Sequence, residues 1–151
     1  MSYVIGLDLG TQSLKGILAA PDGRIVAEAS CSHDPIYPYP GWAEQVVEDY
    51  LHSFTKTVHD LIQISGIDPT EIGTIGFDTI NDSVIATDEN GVALMNCIIW
   101  MDRRAEAETT AIAKIIDPER AFAITGLNLD STHTAAKMLW IKKKRPEIFE
   151  K

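Results

Sequence analysis

The stretch YVIGLDLGTQSLK, residues 3–15, carries the most informative pattern of the chain. The run Tyr3 to Leu9 is short, apolar and β-rich, which predicts a strand buried on both faces. Near its end the strand carries an acid, Asp8, and a tight polar turn beginning at Gly10 leads into a second predicted strand, Leu14 to Ala20. An acid followed by a glycine turn is typical of sites that handle phosphate groups.

The predicted turn offers the groups that a nucleotide phosphate needs. Gly10 lets the backbone approach phosphate oxygens, and the polar residues after it add side-chain donors to their backbone N–H groups. Lys15 adds a positive charge, and Asp8 supplies an oxygen ligand for Mg²⁺, directly or through its waters. The candidate nucleotide-binding residues are Asp8, Gly10, Thr11, Gln12, Ser13 and Lys15, with Asp8 as the metal ligand.

A plain β-hairpin is the alternative interpretation of this turn. In that case Gly10 only provides a positive φ, and Asp8 only bonds to the turn backbone. Asp8 favours the phosphate site, because an ionisable group at the end of a buried strand is costly unless it has a partner such as a metal. The Walker pattern GxxxxGK[ST] is absent, so this turn is not a P-loop.

The rest of the chain alternates strand and helix patterns, and three prolines between Pro35 and Gly41 predict an extended surface loop. Apolar residues at three- and four-residue spacing from Val47 to Ile62 predict an amphipathic helix that Gly66 ends. This order predicts an α/β fold with mixed strand directions. The other predicted elements are strands at Arg24–Ser30, Ile72–Asp78, Val84–Thr87 and Cys97–Trp100, a hairpin-like turn at Asp88–Gly91, helices at Arg104–Ile116 and Thr134–Lys144, and a helical turn at Asp117–Glu119.

Composition and charge restrict the class of protein. The chain has 151 residues, 45% apolar and 23% charged, as is usual for one soluble globular domain. Its 13 Lys+Arg against 22 Asp+Glu give a net charge of -9, which argues against nucleic acid and anionic membranes as partners. Cys31 and Cys97 are far apart and predict neither a disulfide framework nor a zinc site. With no basic leader and no apolar run of roughly 20 residues, we expect a cytoplasmic protein.

Beyond the first turn, the chain resembles the FGGY carbohydrate kinases, which belong with the actin-like, hexokinase-like and heat-shock ATPases. PGWAEQ at residues 40–45 and WMDRRA at residues 100–105 are the discriminating segments, since the other relatives do not carry them as a pair. The resemblance implies a mixed α/β sheet of the actin-like/hexokinase-like (ribonuclease-H-like) ATPase fold, with residues 1–151 as a partial N-terminal domain. Further matches lie at residues 3–15, 76–78, 88–91, 125–127 and 137–140.

A sugar site needs hydrogen-bonding side chains and an aromatic wall for the apolar C–H face of the ligand. Trp100, Asp102 and Arg103 meet that need if they reach a cleft. The alternative places Trp100 in the core and the other two at an exposed helix start. The resemblance favours the cleft and adds further contacts, so the candidate substrate-binding residues are Asp78, Asn81, Asp82, Trp100, Asp102, Arg103 and Thr132.

The same positions leave the substrate open. Where this chain has Asn81-Asp82, the resemblance implies a Met-His pair in xylulose kinases and an Arg-Glu pair in glycerol kinases. Thr132 stands where glycerol kinases have a tyrosine. The segments around residues 76–78 and 96–105 are more similar to ribulose kinases. His33, His52 and His59 are interpreted as surface or packing residues, whereas His133 stands beside Thr132.

The resemblance implies transfer of the ATP γ-phosphoryl group, with Mg²⁺, to a hydroxyl of a small ketose or polyol, above all a pentulose such as xylulose or ribulose. It also places the aspartate base beyond residue 151, together with the adenosine-binding domain, so the isolated chain is expected to be inactive and the full-length enzyme is a candidate homodimer. The main alternative is a non-catalytic regulatory protein that binds sugar or a partner chain. Another actin-like ATPase is the third hypothesis.

Overall fold

The computed structural model describes residues 2–151, which form two compact units. The first comprises residues 2–35 and Glu48–Ile80, and the second Ile36–Val47 and Asn81–Lys151. No helix within residues 2–151 is long and apolar enough to cross a membrane. In chain order, the elements are β1 (Tyr3–Leu9), β2 (Ser13–Ala19), β3 (Ile25–Ser32), β4 (Glu44–Gln45), α1 (Val47–Ser65), a 3₁₀ turn (Pro69–Glu71), β5 (Ile72–Thr79), β6 (Cys97–Ile98), α2 (Glu106–Ala113), α3 (Pro118–Thr125), α4 (Thr134–Lys144) and α5 (Pro146–Phe149).

The first unit is a four-stranded mixed sheet in the order β3-β2-β1-β5. β2 pairs antiparallel with both β1 and β3, which confirms the predicted meander. β5 pairs with β1 in parallel, and α1 lies between these two strands in the chain. Gly66 ends α1 with a φ of +66°, as its position in the sequence predicts.

Only one face of this sheet is covered within the described residues. Ile5 and Leu7 point into a core that also holds Leu14, Leu18 and Leu61 of α1. On the opposite face, side chains such as Val4 and Ile17 are exposed. The prediction that β1 is buried on both faces is therefore wrong for residues 2–151, because α1 packs against a single side.

The residues that α1 buries against the sheet are not all the apolar residues that the sequence pattern predicts. Ser53 and Thr57 are fully buried, whereas Leu51 is exposed. Thr57 lies over Gly16 of β2, where no side chain intervenes. The helix therefore approaches the sheet at a glycine, and a small polar residue fills the narrow gap.

We expect Gly16→Ala to destabilise the first unit. A Cβ at Gly16 would lie 2.8 Å from Thr57 Cγ2, 2.9 Å from Leu61 Cδ1 and 2.9 Å from Leu7 Cδ2. Overpacking of this kind costs about 1–3 kcal/mol, measurable as a lower free energy of unfolding in urea. Gly76→Ala in β5 is the matched control, since its Cβ would meet nothing within 4 Å. Equal stability of the two variants would refute close packing at Gly16.

The second unit joins the short β4–β6 pair to the C-terminal helices. Its core contains Ile98, Ala105, Ala136, Trp140, Ile141 and Ile148. The predicted strand at 84–87 forms only isolated bridges, from Val84 to Ile98 and from Thr87 to Ala93. The turn between them is as predicted, because Gly91 N–H donates to Asp88 O at 3.1 Å.

The helices near the end of the chain differ from the prediction at their starts. α2 begins at Glu106, not at residue 104, because the backbone N–H of Arg104 donates to the Asp102 carboxylate in a turn before the helix. α3 runs for 8 residues where a single helical turn was predicted. The side chain of Asp117 caps it at the N-terminus.

Candidate functional site

Three charged side chains share one row of the first unit's sheet. Asp8 of β1 lies directly opposite Lys15 of β2 and Asp78 of β5. Directly opposed residues in neighbouring strands point to the same face, so the three side chains project together from the face that α1 does not cover. All three are exposed. The row thus presents two carboxylates and one ammonium group to any ligand on this face.

Asp8 is exposed, and the sequence-based expectation of a buried carboxylate is wrong within residues 2–151. The sequence suggests that a buried strand forces Asp8 to have a partner, but the side chain is exposed within residues 2–151. The evidence for a functional role of Asp8 is its position directly between Asp78 and Lys15 in neighbouring strands. No cluster of three or more potential metal-binding side chains occurs in the described part of the chain, so this row alone offers a metal no more than two carboxylates.

The turn after this row is ordered by backbone hydrogen bonds. Gly10 N–H donates to Ser13 O at 3.0 Å, and Ile80 N–H donates to Leu9 O at 3.0 Å, which aligns the ends of β1 and β5. A groove of about 470 Å³ runs along the open face next to the row. Gly6 and Gly76 are paired across the strands there, so neither position places a side chain in the groove.

His33 forms hydrogen bonds to the turn at residues 10–13, a role that the sequence does not reveal. It is buried, its backbone N–H donates to Gln12 O at 3.0 Å, and its Nε2 lies 2.9 Å from Gly10 O. Its Nδ1 lies 3.1 Å from Ser53 Oγ of α1, and its ring packs edge-on against Tyr50. His33 therefore links the turn to the helix, and the interpretation of it as a packing residue is incomplete.

We expect His33→Phe to loosen the turn. The ring still fills the space, but Gly10 O and Ser53 Oγ lose their imidazole partner, and an unsatisfied buried polar group costs about 1–3 kcal/mol. The free energy of unfolding should fall by that amount, with faster amide exchange at residues 10–13. His52→Phe on the exposed side of α1 is the control. Unchanged exchange in His33→Phe would show that the imidazole does not order the turn.

In the second unit, one buried arginine connects the two distinctive sequence segments. Arg104 Nη2 lies 2.7 Å from Asp102 Oδ2 and 2.8 Å from Glu44 Oε1. Its guanidinium stacks 3.7 Å from the centre of the Trp42 ring and lies 5.1 Å from that of Trp140. The contacts of Arg104 therefore hold residues 40–45 and 100–105 together.

Asp102 is engaged within the protein. It is completely buried, and its Oδ2 also accepts a 2.6 Å hydrogen bond from Ala43 N–H. Its Oδ1 accepts from both the backbone N–H and Nε of Arg104. This geometry does not favour the expected direct contact between Asp102 and a sugar.

The neighbours of Asp102 point outward. Trp100 is 43% exposed, so the alternative that buries it in the core is wrong within residues 2–151. The Arg103 side chain is 69% exposed and pairs with Glu106 at 2.6 Å. Both side chains can be reached by a ligand.

Two further segments with candidate sugar contacts lie together in this unit. The Thr134 hydroxyl donates to Asp82 Oδ1 at 3.3 Å, which connects residues 81–82 to the start of α4. The Thr132 hydroxyl bonds to Asp130, and this hydrogen bond holds the pKa of Asp130 below its usual value, with a smaller contribution from Arg103. Asn81, Asp82 and Thr132 therefore lie on neighbouring segments. The charge of Arg103 acts on Asp130, which belongs to the segment of Thr132. Asp78, by contrast, belongs to the row in the first unit.

The sequence of the chain is similar to those of known proteins. The model of the N-terminal domain of the FGGY family of carbohydrate kinases matches residues 3–151. Xylulose kinase from Bacillus subtilis (strain 168) is 30% identical over 151 residues, which are 100% of this chain and 30% of that protein. Glycerol kinase from Symbiobacterium thermophilum is 31% identical over 150 residues, covering 99% of this chain and 30% of the relative.

The fold agrees as well. The crystal structure of ligand-bound xylulose kinase from Lactobacillus acidophilus superposes with a TM-score of 0.88 at 27% identity, over 100% of this chain and 30% of that one. The mixed sheet is the first part of the actin-like ATPase fold of such kinases. The chain spans 30% of the length of the curated relatives described above. By its sequence and its fold, the chain belongs to the FGGY family of carbohydrate kinases.

Proposed function

We propose that the chain forms the N-terminal part of an ATP-dependent kinase that phosphorylates a hydroxyl group of a small ketose or polyol. The observation that carries this proposal is the exposed row of Asp8, Lys15 and Asp78 beside a glycine turn. Relatives named xylulose kinase and glycerol kinase support the substrate class. Among such substrates, pentuloses such as xylulose and ribulose come first.

The donor set of the row fits Mg²⁺ and a nucleotide phosphate. Mg²⁺ is usually held by one or two carboxylates together with substrate phosphates and water, and Asp8 and Asp78 provide two in adjacent strands. Lys15 offers a point charge to phosphate oxygens, Gly10 lets a phosphate approach the backbone, and Thr11, Gln12 and Ser13 offer polar side chains. Bound Mg²⁺ would neutralise the negative charge of the transferring phosphoryl group.

The sugar contacts that we propose belong to exposed or half-buried side chains. Trp100 presents its ring to the C–H face of the substrate, and Arg103 donates to hydroxyls. Asn81, Asp82 and Thr132 complete the polar part of the site. Asp102 supports it indirectly, by fixing Arg104 and the residue 43 backbone.

The position of the catalytic base and the cellular compartment of the enzyme are also part of the proposal. We place the aspartate that accepts the hydroxyl proton outside residues 1–151, so the chain alone is expected to show no turnover. We also propose that the full-length enzyme is cytoplasmic and homodimeric. A non-catalytic protein that binds sugar with this fold is the alternative.

A coupled ADP-release assay tests the proposal. The full-length gene product is screened against ketoses, polyols and sugar acids with ATP and Mg²⁺, and sugar-dependent ADP release is expected for at least one ketose or polyol. Saturable sugar binding by calorimetry without ADP release would indicate the regulatory alternative. ADP release independent of any sugar would indicate another kind of ATPase.

A further inference from the structure

Lys137 is a lysine placed inside the protein. It lies in the first half of α4 and is 0% exposed, flanked in the sequence by the buried Ala136 and followed one turn later by the buried Trp140. Burial lowers the pKa of its ammonium group below the usual value for lysine. A charged amine in such a position is costly unless its donors are satisfied, so its partners explain its presence.

Those partners are two backbone carbonyl oxygens from separate parts of the chain. Lys137 Nζ donates to Asp82 O at 2.5 Å and to Thr132 O at 2.6 Å. Both carbonyls belong to the segments that carry candidate sugar contacts. The negative charges of Asp82 and Asp102 partly counteract the effect of burial on the pKa of Lys137.

The backbone held by Lys137 has an uncommon conformation. Asp82 has a φ of 51°, and it is the single residue other than glycine with a positive φ among residues 2–151. Its N–H bonds to the Asn81 side chain, and its own side chain accepts from Thr134. Such conformations persist where surrounding contacts enforce them, which often occurs at functional sites.

We propose that Lys137 is a positioning residue of the sugar site, whose amine sets the spacing between residues 81–82 and residue 132. This inference rests on the proposed function, because those segments bind sugar only if the protein is a sugar kinase. A lysine suits the task, since one ammonium group can donate to two carbonyls at once. An apolar residue would pack in the same core but would leave both carbonyls without this donor.

Lys137→Met in the full-length gene product separates positioning from packing. Methionine keeps most of the length and volume and removes the amine. The KM for sugar should rise about tenfold or more, the effect expected from loss of a hydrogen bond to a charged group. The KM for ATP should stay within twofold, because the hydrogen bonds of Lys137 go to the backbone of Asp82 and Thr132, which are candidate sugar residues. Lys144→Met is the matched control, since it makes the same change at an exposed position of the same helix.

Three outcomes are informative. A lower melting temperature with an unchanged sugar KM would overturn the inference and leave Lys137 a purely structural residue. If Lys137→Met does not fold, Lys137→Gln, which keeps a donor on a shorter side chain, must show the same selective rise in sugar KM. If the wild type phosphorylates no sugar, the proposed function fails, and amide exchange at residues 81–84 and 132–134 then decides whether Lys137 orders these segments. Equal amide exchange at these residues in Lys137→Met and Lys144→Met would contradict an ordering role of Lys137.

Discussion

Asp8→Ala should lower kcat/KM for sugar phosphorylation by the full-length gene product by at least about 100-fold, as for loss of a group that stabilises transferring charge. The carboxylate lies between Lys15 and Asp78 in the exposed row, and its removal leaves Asp78 as the one carboxylate of that row. The measurement is steady-state ADP release with the sugar concentration varied, repeated at several Mg²⁺ concentrations. A higher Mg²⁺ requirement should accompany the loss of rate.

Asp22→Ala is the control for this experiment. Asp22 is an exposed acid in the turn between β2 and β3, where it pairs with Arg24. Its replacement should change kcat/KM less than twofold. Retention of more than a tenth of the wild-type activity by Asp8→Ala would contradict a central role for the row.

Arg104→Met should lower the free energy of unfolding of the second unit by about 3–5 kcal/mol, the usual cost of breaking a buried ion pair. The variant leaves Asp102 buried without its cation and removes the ion-pair partner of Glu44, which keeps only its hydrogen bond from Asn96. It also removes the guanidinium that stacks on the Trp42 ring. Urea denaturation followed by tryptophan fluorescence measures the change.

Arg103→Met is the matched control for stability. Its side chain is 69% exposed and forms a surface pair with Glu106. Such pairs contribute about 0–1 kcal/mol, so this variant should unfold close to the wild type. Equal effects at positions 103 and 104 would show that the buried pair does not hold the two motif segments together.

The local patterns in the sequence predict much of the fold. Periodicity and turn residues predict β1, β2, α1 and α4 within a few residues, because these elements follow from local spacing. The open sheet face was not predictable from Tyr3–Leu9, since an apolar run does not reveal how many layers cover it. The strand predicted at 84–87 is reduced to bridges, because its neighbour β6 is only 2 residues long.

The candidate site was predictable in part. Residue types identify the turn after Asp8, whereas the pairing of Asp8 with Asp78 depends on a parallel register between distant strands. The buried roles of His33, Arg104 and Lys137 are not apparent from the sequence, because charged or polar residues ordinarily lie at the surface. Lys137 did have a signal, since Trp140 and Ile141 follow it at the three- and four-residue spacing of one helix face.

The most direct measurement follows the phosphoryl group itself. The full-length gene product is incubated with Mg²⁺, a pentulose and ATP carrying ¹⁸O in its γ-phosphoryl group, and the products are examined by mass spectrometry. We expect a labelled sugar monophosphate that forms only when sugar and ATP are both present and is nearly absent with Asp8→Ala. Label recovered solely in inorganic phosphate, or no consumption of ATP with any ketose or polyol, would contradict a sugar kinase.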